Sequence, residues 1–322
     1  MKKEYAKLNI DDISELFKEE PFDIFIRLGD SKFVKIINFN DNAFEVTLEN
    51  YQRRGVNYLY CKYDKYQQVL SSLERKIDDA LEDANSATSI DETFSGLSNS
   101  MMGLKGMITN IGITPVTQKK TENLVNATLK ESEKDTKLEV LLELLDQKPG
   151  FISKQGLLTS YLVVSMIDEM DWTTEAVKKK LVTASLFQNI TLDTDEQAMV
   201  TLTASEDFNK LDDYSKDLVK NHPHLGAELV HSPGFGGEEV QKLIKNHHEI
   251  PVMGGFPGRV SAHNISIMDS CFIIASHFAT TALKKEVIRN NYAIVAQSLN
   301  EDFSVGGFKR GYQALLKVVA NR

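Results

Sequence analysis

All seven histidines of this 322-residue chain fall between His222 and His277. The centre of the group reads His247-His248-Glu249, followed at once by a turn that ends in Gly254-Gly255-Phe256-Pro257. Packing alone gives a poor account of adjacent histidines beside a glycine-rich turn. Imidazole is the commonest transition-metal ligand, and glycine lets the backbone approach a bound group closely. The chemistry indicated is therefore metal binding. The chain upstream of His222 holds no histidine at all.

Other motif classes fail on context. Gly234-Phe235-Gly236-Gly237 and Gly306-Gly307 have no strand before them, which excludes a dinucleotide fingerprint or a phosphate loop. Asp193-x-Asp195-Glu196 lacks the remaining ligands of a calcium loop and reads as solvated. A net charge of −9, with no basic stripe carrying aromatic residues, excludes a general nucleic-acid binder. Cys61 and Cys271 are too few for a disulfide framework and are expected as free thiols. With no signal-like N-terminus and no apolar run of spanning length, the expected location is the cytoplasm, without membrane insertion.

The elements that must hold these residues follow from periodicity. Residues 1–84 read as a small mixed α/β domain. Strands are expected over Phe22–Leu28, Lys32–Ile37 and Val56–Cys61, with a short helix over Leu48–Arg54 and a longer one carrying Tyr66, Leu70, Leu73, Ile77 and Leu81. The order expected is β-β-α-β-α. Residues 85–149 read as linker and helical connector: 85–100 are small and polar, whereas Met101, Leu104, Ile108 and Ile111, then Leu138–Leu145, recur at helical spacing. Residues 150–322 read as an all-α bundle, with helices over Leu157–Met170, Glu175–Phe187, Asp212–Val230, Glu238–His247, Ile265–Thr281 and Tyr312–Val319. The fold class expected is α+β.

The order His222-Pro223-x-x-Gly226, His247-His248-Glu249, Gly255-Phe256-Pro257, Arg259 and Asp269 resembles the HD-GYP family. Its members are all-α metal-dependent phosphodiesterases of the bacterial messenger cyclic di-GMP. The family's turn, His-His-Glu-x-x-Asp-Gly-x-Gly-Tyr-Pro, maps without a gap onto His247 to Pro257, with Val252 for its aspartate, Met253 for its first glycine and Phe256 for its tyrosine. The resemblance implies that His222, His247 and His248 face one ion and that Asp269 is a metal-binding aspartate. It also implies that Arg259, Phe256 and Glu249 border a ligand.

The departures matter as much. The family is named for a His-Asp dipeptide, usually followed by Ile-Gly-Lys; here the matching residues are Gln188, Asn189 and, for the lysine, Leu192. A ligand histidine expected from the helix within Ser153 to Met170 is missing, as is a basic motif near Phe278 to Thr281. A two-metal centre needs a bridging carboxylate between ions that repel each other, and Asn189 cannot supply that charge. No catalytic residue is expected, and a single ion at most: Fe, Mn or Zn. Two accounts of the histidines stand, one ion held or none, with the imidazoles satisfied by hydrogen bonds. His224, His231, His263 and His277 are expected at the surface or at helix caps.

Three functions follow from the resemblance. The first is a non-catalytic HD-GYP-like protein in cyclic di-GMP-related signalling that binds a protein partner, with homodimerisation set by its N-terminal parts. The others are a phosphodiesterase with an altered site, and a receptor that binds cyclic di-GMP without hydrolysing it.

Overall fold

Four short segments near the N-terminus, rich in β-branched, aromatic and other apolar residues, are strands. In this computed structural model residues 4–321 are described, apart from 30–31, 57, 149, 171–172, 232–234, 252–254, 258–264 and 285–291. The chain divides into two compact units, Met1–Asp79 with Gly103–Gly112, and Ala80–Met102 with Ile113–Arg322.

The first unit runs β1 (Tyr5–Asn9), α1 (Ile10–Glu19), β2 (Ile24–Arg27), β3 (Phe33–Ile37), α2 (Phe44–Arg53), β4 (Tyr58–Lys62), and into α3 (Tyr63–Ser86). The strands form one antiparallel sheet in the order β1-β4-β2-β3, with Tyr5 opposite Lys62, Phe25 opposite Tyr60 and Arg27 opposite Phe33. Ala6, Leu8, Ile24, Ile37, Leu59 and Cys61 are buried together with Ile10, Ile13, Leu16 and Phe17 of α1. Tyr5 stacks on Phe33 at 4.1 Å, with Phe25 and Tyr60 edge-on around the pair. The three expected strands are present. The sequence reading missed β1 and α1, although Ile10, Ile13, Leu16 and Phe17 already carry the spacing of a helix.

The stretch 85–100, expected as linker, is mostly helix: only 87–89 separate α3 from α4 (Ile90–Ile111). Its small residues serve packing and capping instead. A Cβ at Gly96 would lie 2.6 Å from the Ala80 carbonyl oxygen and 2.8 Å from the Ala84 methyl, so only glycine admits this approach of α3 and α4. Ser89 Oγ accepts from the Glu92 N–H at 3.2 Å, and the Glu92 carboxylate accepts from the Ser89 N–H at 3.3 Å.

The rest of the second unit is helical among the described residues. It comprises α5 (Pro115–Ser132), α6 (Leu138–Asp146), α7 (Phe151–Asp168), α8 (Glu175–Phe187), α9 (Asp195–Ala198), α10 (Glu206–Lys210), α11 (Asp213–Leu229), α12 (Gly237–Asn246), α13 (Ile267–Lys284), α14 (Tyr292–Ser298), α15 (Asn300–Phe303) and α16 (Phe308–Asn321). α7 is the central helix, buried on nearly every side, and packs against α5, α8, α13 and α16. α5 was not expected, because its inward face carries Thr117, Thr121, Thr128 and Ser132 among few apolar residues. Its start is nevertheless marked by Thr114 as cap and Pro115 at the first helical position. No helix among the described residues is long and apolar enough to cross a membrane, and both cysteines are free and buried.

Candidate metal centre

His222 lies inside α11, directly before Pro223. Proline has no N–H, so the Val219 carbonyl, four residues back, loses its helical partner. His222 Nδ1 takes that place at 2.7 Å. His247 caps α12 in a similar way: helix ends leave carbonyls unpaired, and its Nδ1 donates to the Ile244 carbonyl at 2.6 Å. His248 Nδ1 reaches the Thr201 carbonyl at 2.9 Å. A carbonyl oxygen only accepts, so all three rings carry their hydrogen on Nδ1 and present Nε2 as a bare lone pair.

Those lone pairs converge. The Nε2 atoms of His222 and His247 stand 3.2 Å apart, and one nitrogen of each of the three rings lies within 4.8 Å of the others. With the tautomers set by the carbonyls, the short contact is lone pair against lone pair, which only a proton or a cation between them relieves. A proton is disfavoured, since burial pushes His247 down to about 4 and holds His222 and His248 well below the ordinary imidazole value. Two nitrogens about 2.0–2.1 Å from one tetrahedral ion stand about 3.3–3.4 Å apart, close to the spacing seen. The donor set fits a transition ion.

The turn after the double histidine fixes the third ring. Phe256 pairs back across the turn, its N–H donating to the His248 carbonyl at 3.3 Å, and its ring stacks on His248 at 4.3 Å. A Cβ at Gly255 would fall 2.5 Å from the His248 carbonyl oxygen and 2.5 Å from Glu249 Cα, so that position admits glycine alone.

Other expected site residues are placed differently. Asp269 is not in the three-nitrogen group. It sits in the first turn of α13, where its carboxylate accepts from Lys242 Nζ at 2.6 Å and from the Ser266 hydroxyl at 2.8 Å. Ser266 Oγ in turn accepts from the Asp269 N–H at 3.1 Å, a reciprocal helix cap. The α13 residue level with Gln188 is Ser276, whose hydroxyl donates to Gln188 Oε1 at 2.8 Å. Seven residues separate it from Asp269, about 10.5 Å along the helix. Glu249 is fully buried. His224 and His231 are exposed, as expected. Arg259 and His263, together with Val252, Met253 and Gly254, lie outside the described residues.

Gln188 and Asn189 follow α8 and belong to a buried network of neutral side chains. Thr280 Oγ1 donates to the Ser276 carbonyl at 2.8 Å and accepts from Gln155 Nε2 at 2.5 Å. That fixes the Gln155 amide, whose oxygen accepts from Asn189 Nδ2. Gln188 Nε2 points to Thr159 Oγ1 at 3.4 Å. The helix from which the family draws a histidine thus contributes Gln155 and Thr159 here. Asn189 Oδ1 is left buried without a partner.

The residue that sequence reasoning misplaced is His277. It was expected at the surface or at a helix cap but lies within α13 and is 6% exposed, with Nε2 buried and without a partner. Its ring lies 6.3 Å from that of His248, and burial, reinforced by His247 and Lys284, pushes it down to about 3. The available signal was the apolar run Cys271–Phe278, which reads as a helix buried all round.

No family model matches the chain, and no curated protein matches it. Among solved structures it matches Bd1817, an HDG"Y"P protein from Bdellovibrio bacteriovorus, over 98% of this chain and 100% of that one, with a TM-score of 0.55 and 14% identity. The chain has the fold of an HD-GYP protein. The resemblance read from the histidine spacing and the similarity of the HD-GYP fold agree. At this identity the likeness is one of fold, and the site differs where Gln188 and Asn189 replace the dipeptide in the name.

The buried imidazoles give the metal-free protein an acid-sensitive stability. Each has its folded value depressed below the unfolded value of about 6.5, so the unfolded chain takes up the proton first. Their contribution is complete above that pH and is lost progressively as pH falls, until about 4 for His247, where the folded ring protonates as well. In EDTA the urea midpoint should therefore fall steadily from pH 7 to pH 5, above the range in which ordinary carboxylates titrate. A midpoint constant over that interval would contradict the burial of neutral imidazoles.

Proposed function

We propose that this chain is a catalytically degenerate HD-GYP-like protein of bacterial cyclic di-GMP-related signalling. It acts by binding a protein partner and holds a single transition ion at His222, His247 and His248. In this reading the N-terminal parts of the chain set dimerisation.

One observation carries the proposal: the two halves of the site have opposite character. One half brings a ring nitrogen from each of three imidazoles within 4.8 Å of the others, those of His222 and His247 to 3.2 Å. The other half is a hydrogen-bonded set of amides and hydroxyls, Gln155, Thr159, Gln188, Asn189, Ser276 and Thr280, with no carboxylate among them. Hydrolysis of a phosphodiester by paired ions needs them about 3.5–4 Å apart with anionic bridging. Amides and hydroxyls leave a second divalent charge unbalanced in a buried setting. His222, His247 and His248 would hold the ion, which would supply Lewis acidity. The protein's part is to fix the rings, which it does through the Val219, Ile244 and Thr201 carbonyls.

The test uses the full-length protein loaded with Zn, Mn or Fe(II), desalted and analysed for metal, then incubated with cyclic di-GMP. The expected result is one equivalent of metal and no turnover above the free-metal control. Two equivalents, or turnover abolished by His247→Ala, would establish an active phosphodiesterase instead.

A further inference from the structure

The three-imidazole set accounts for His222, His247 and His248 and leaves His277 unexplained. That ring belongs to α13, one residue beyond Ser276, which is part of the amide–hydroxyl network. His277 therefore stands where the two halves of the site meet. Phe303 backs it edge-on at 5.2 Å, and His248 faces it at 6.3 Å with the planes at 70°. Its Nε2 is buried without a hydrogen-bonding partner. Buried ring nitrogens in native proteins are satisfied by protein, water or a ligand.

The spacing separates His277 from the ion's own donors. Rings within the set lie 4.1–5.1 Å apart, centre to centre, whereas His277 is 6.3 Å from His248 and its nitrogens fall outside the group that meets within 4.8 Å. It is near enough to touch something held at the centre and too far to be held there with the others. A neutral imidazole presents either a donor or an acceptor at Nε2, according to tautomer, and so serves water or a small anion equally.

We propose that His277 is the hydrogen-bonding partner of the small exogenous ligand at the position left open by His222, His247 and His248. It is a positioning residue for a water molecule or a small anion. This rests on the single-ion reading above, and the test keeps the two apart.

The full-length protein is loaded with Co(II), and its visible bands are followed as azide is added, in wild type, His277→Phe and His277→Gln. The expected result is that all three proteins bind one equivalent of Co(II) with affinities within about threefold. Azide should bind about tenfold more weakly to His277→Phe, with most of the loss recovered in His277→Gln, whose amide still donates. Equal azide affinity in wild type and His277→Phe would overturn the proposal. So would a hundredfold fall in Co(II) affinity in both variants, which would make His277 a ligand of the ion. Absence of Co(II) binding by wild type would instead remove the metal site itself. Should the phenylalanine variant not fold, His277→Leu takes its place in the same comparison.

Discussion

His247→Ala should bind Zn(II) at least about a hundredfold more weakly than wild type and lose the accompanying thermal stabilisation. His247 is the hub of the set, 3.2 Å from His222 through Nε2 and in ring contact with His248 at 4.1 Å. Removing it leaves two imidazoles, and transition ions gain most of their affinity in proteins from the third and fourth donors acting together. An ion present at a hundred times its dissociation constant stabilises a folded protein by about 2.7 kcal/mol, which is readily visible as a shift in melting temperature. Wild type should show that shift and lose it in EDTA; the variant should melt at the same temperature with or without zinc. The substitution also removes the short lone-pair contact, so the metal-free variant need not be less stable than metal-free wild type. Equal zinc-dependent shifts in the two proteins would refute the assignment of these rings as ligands.

Asn189→Asp should destabilise the metal-free protein by about 3 kcal/mol or more, with much of that loss recovered on adding zinc. Asn189 Nδ2 donates to Gln155 Oε1, and Gln155 cannot reverse its amide because its own nitrogen is held by Thr280 Oγ1. A carboxylate at position 189 would set oxygen against oxygen in a place only 3% exposed. The family resemblance puts position 189 at the metal site, where an ion held by the three imidazoles would supply the missing positive charge. Urea denaturation in EDTA and in zinc separates the two effects. Unchanged stability in EDTA would mean that the network is looser than its hydrogen bonds imply.

Much of the second unit was legible because its helices carry apolar spacing and cap residues. Glu175–Phe187 was expected with the bounds observed, and α11 to α13 within a few residues. Where polar side chains face inward, as on α5, periodicity had nothing to register. The stretch 85–100 misled for a related reason: serine, threonine and glycine describe a flexible chain and a tight helix contact in the same letters, and only the position of Gly96 against Ala80 and Ala84 distinguishes them. At the site, the order of motifs singled out His222, His247 and His248, the three histidines whose nitrogens come together. Asp269 was singled out by matching a family residue along one helix, which leaves the turn undetermined; two turns separate it from Ser276, the residue level with Gln188. The partners of Gln188 and Asn189 come from α7 and α13, so no local pattern announces them.

The proline after His222 has a consequence for how quickly the site could work. By withholding an N–H from the Val219 carbonyl, Pro223 leaves the imidazole one acceptor to satisfy and hence one orientation to adopt. The Ile244 carbonyl at the end of α12 does the same for His247. The rotational freedom that a ligand side chain normally gives up on capturing an ion has in these two rings been surrendered during folding. Ion uptake should then be limited by arrival and dehydration of the ion rather than by a search among side-chain rotamers.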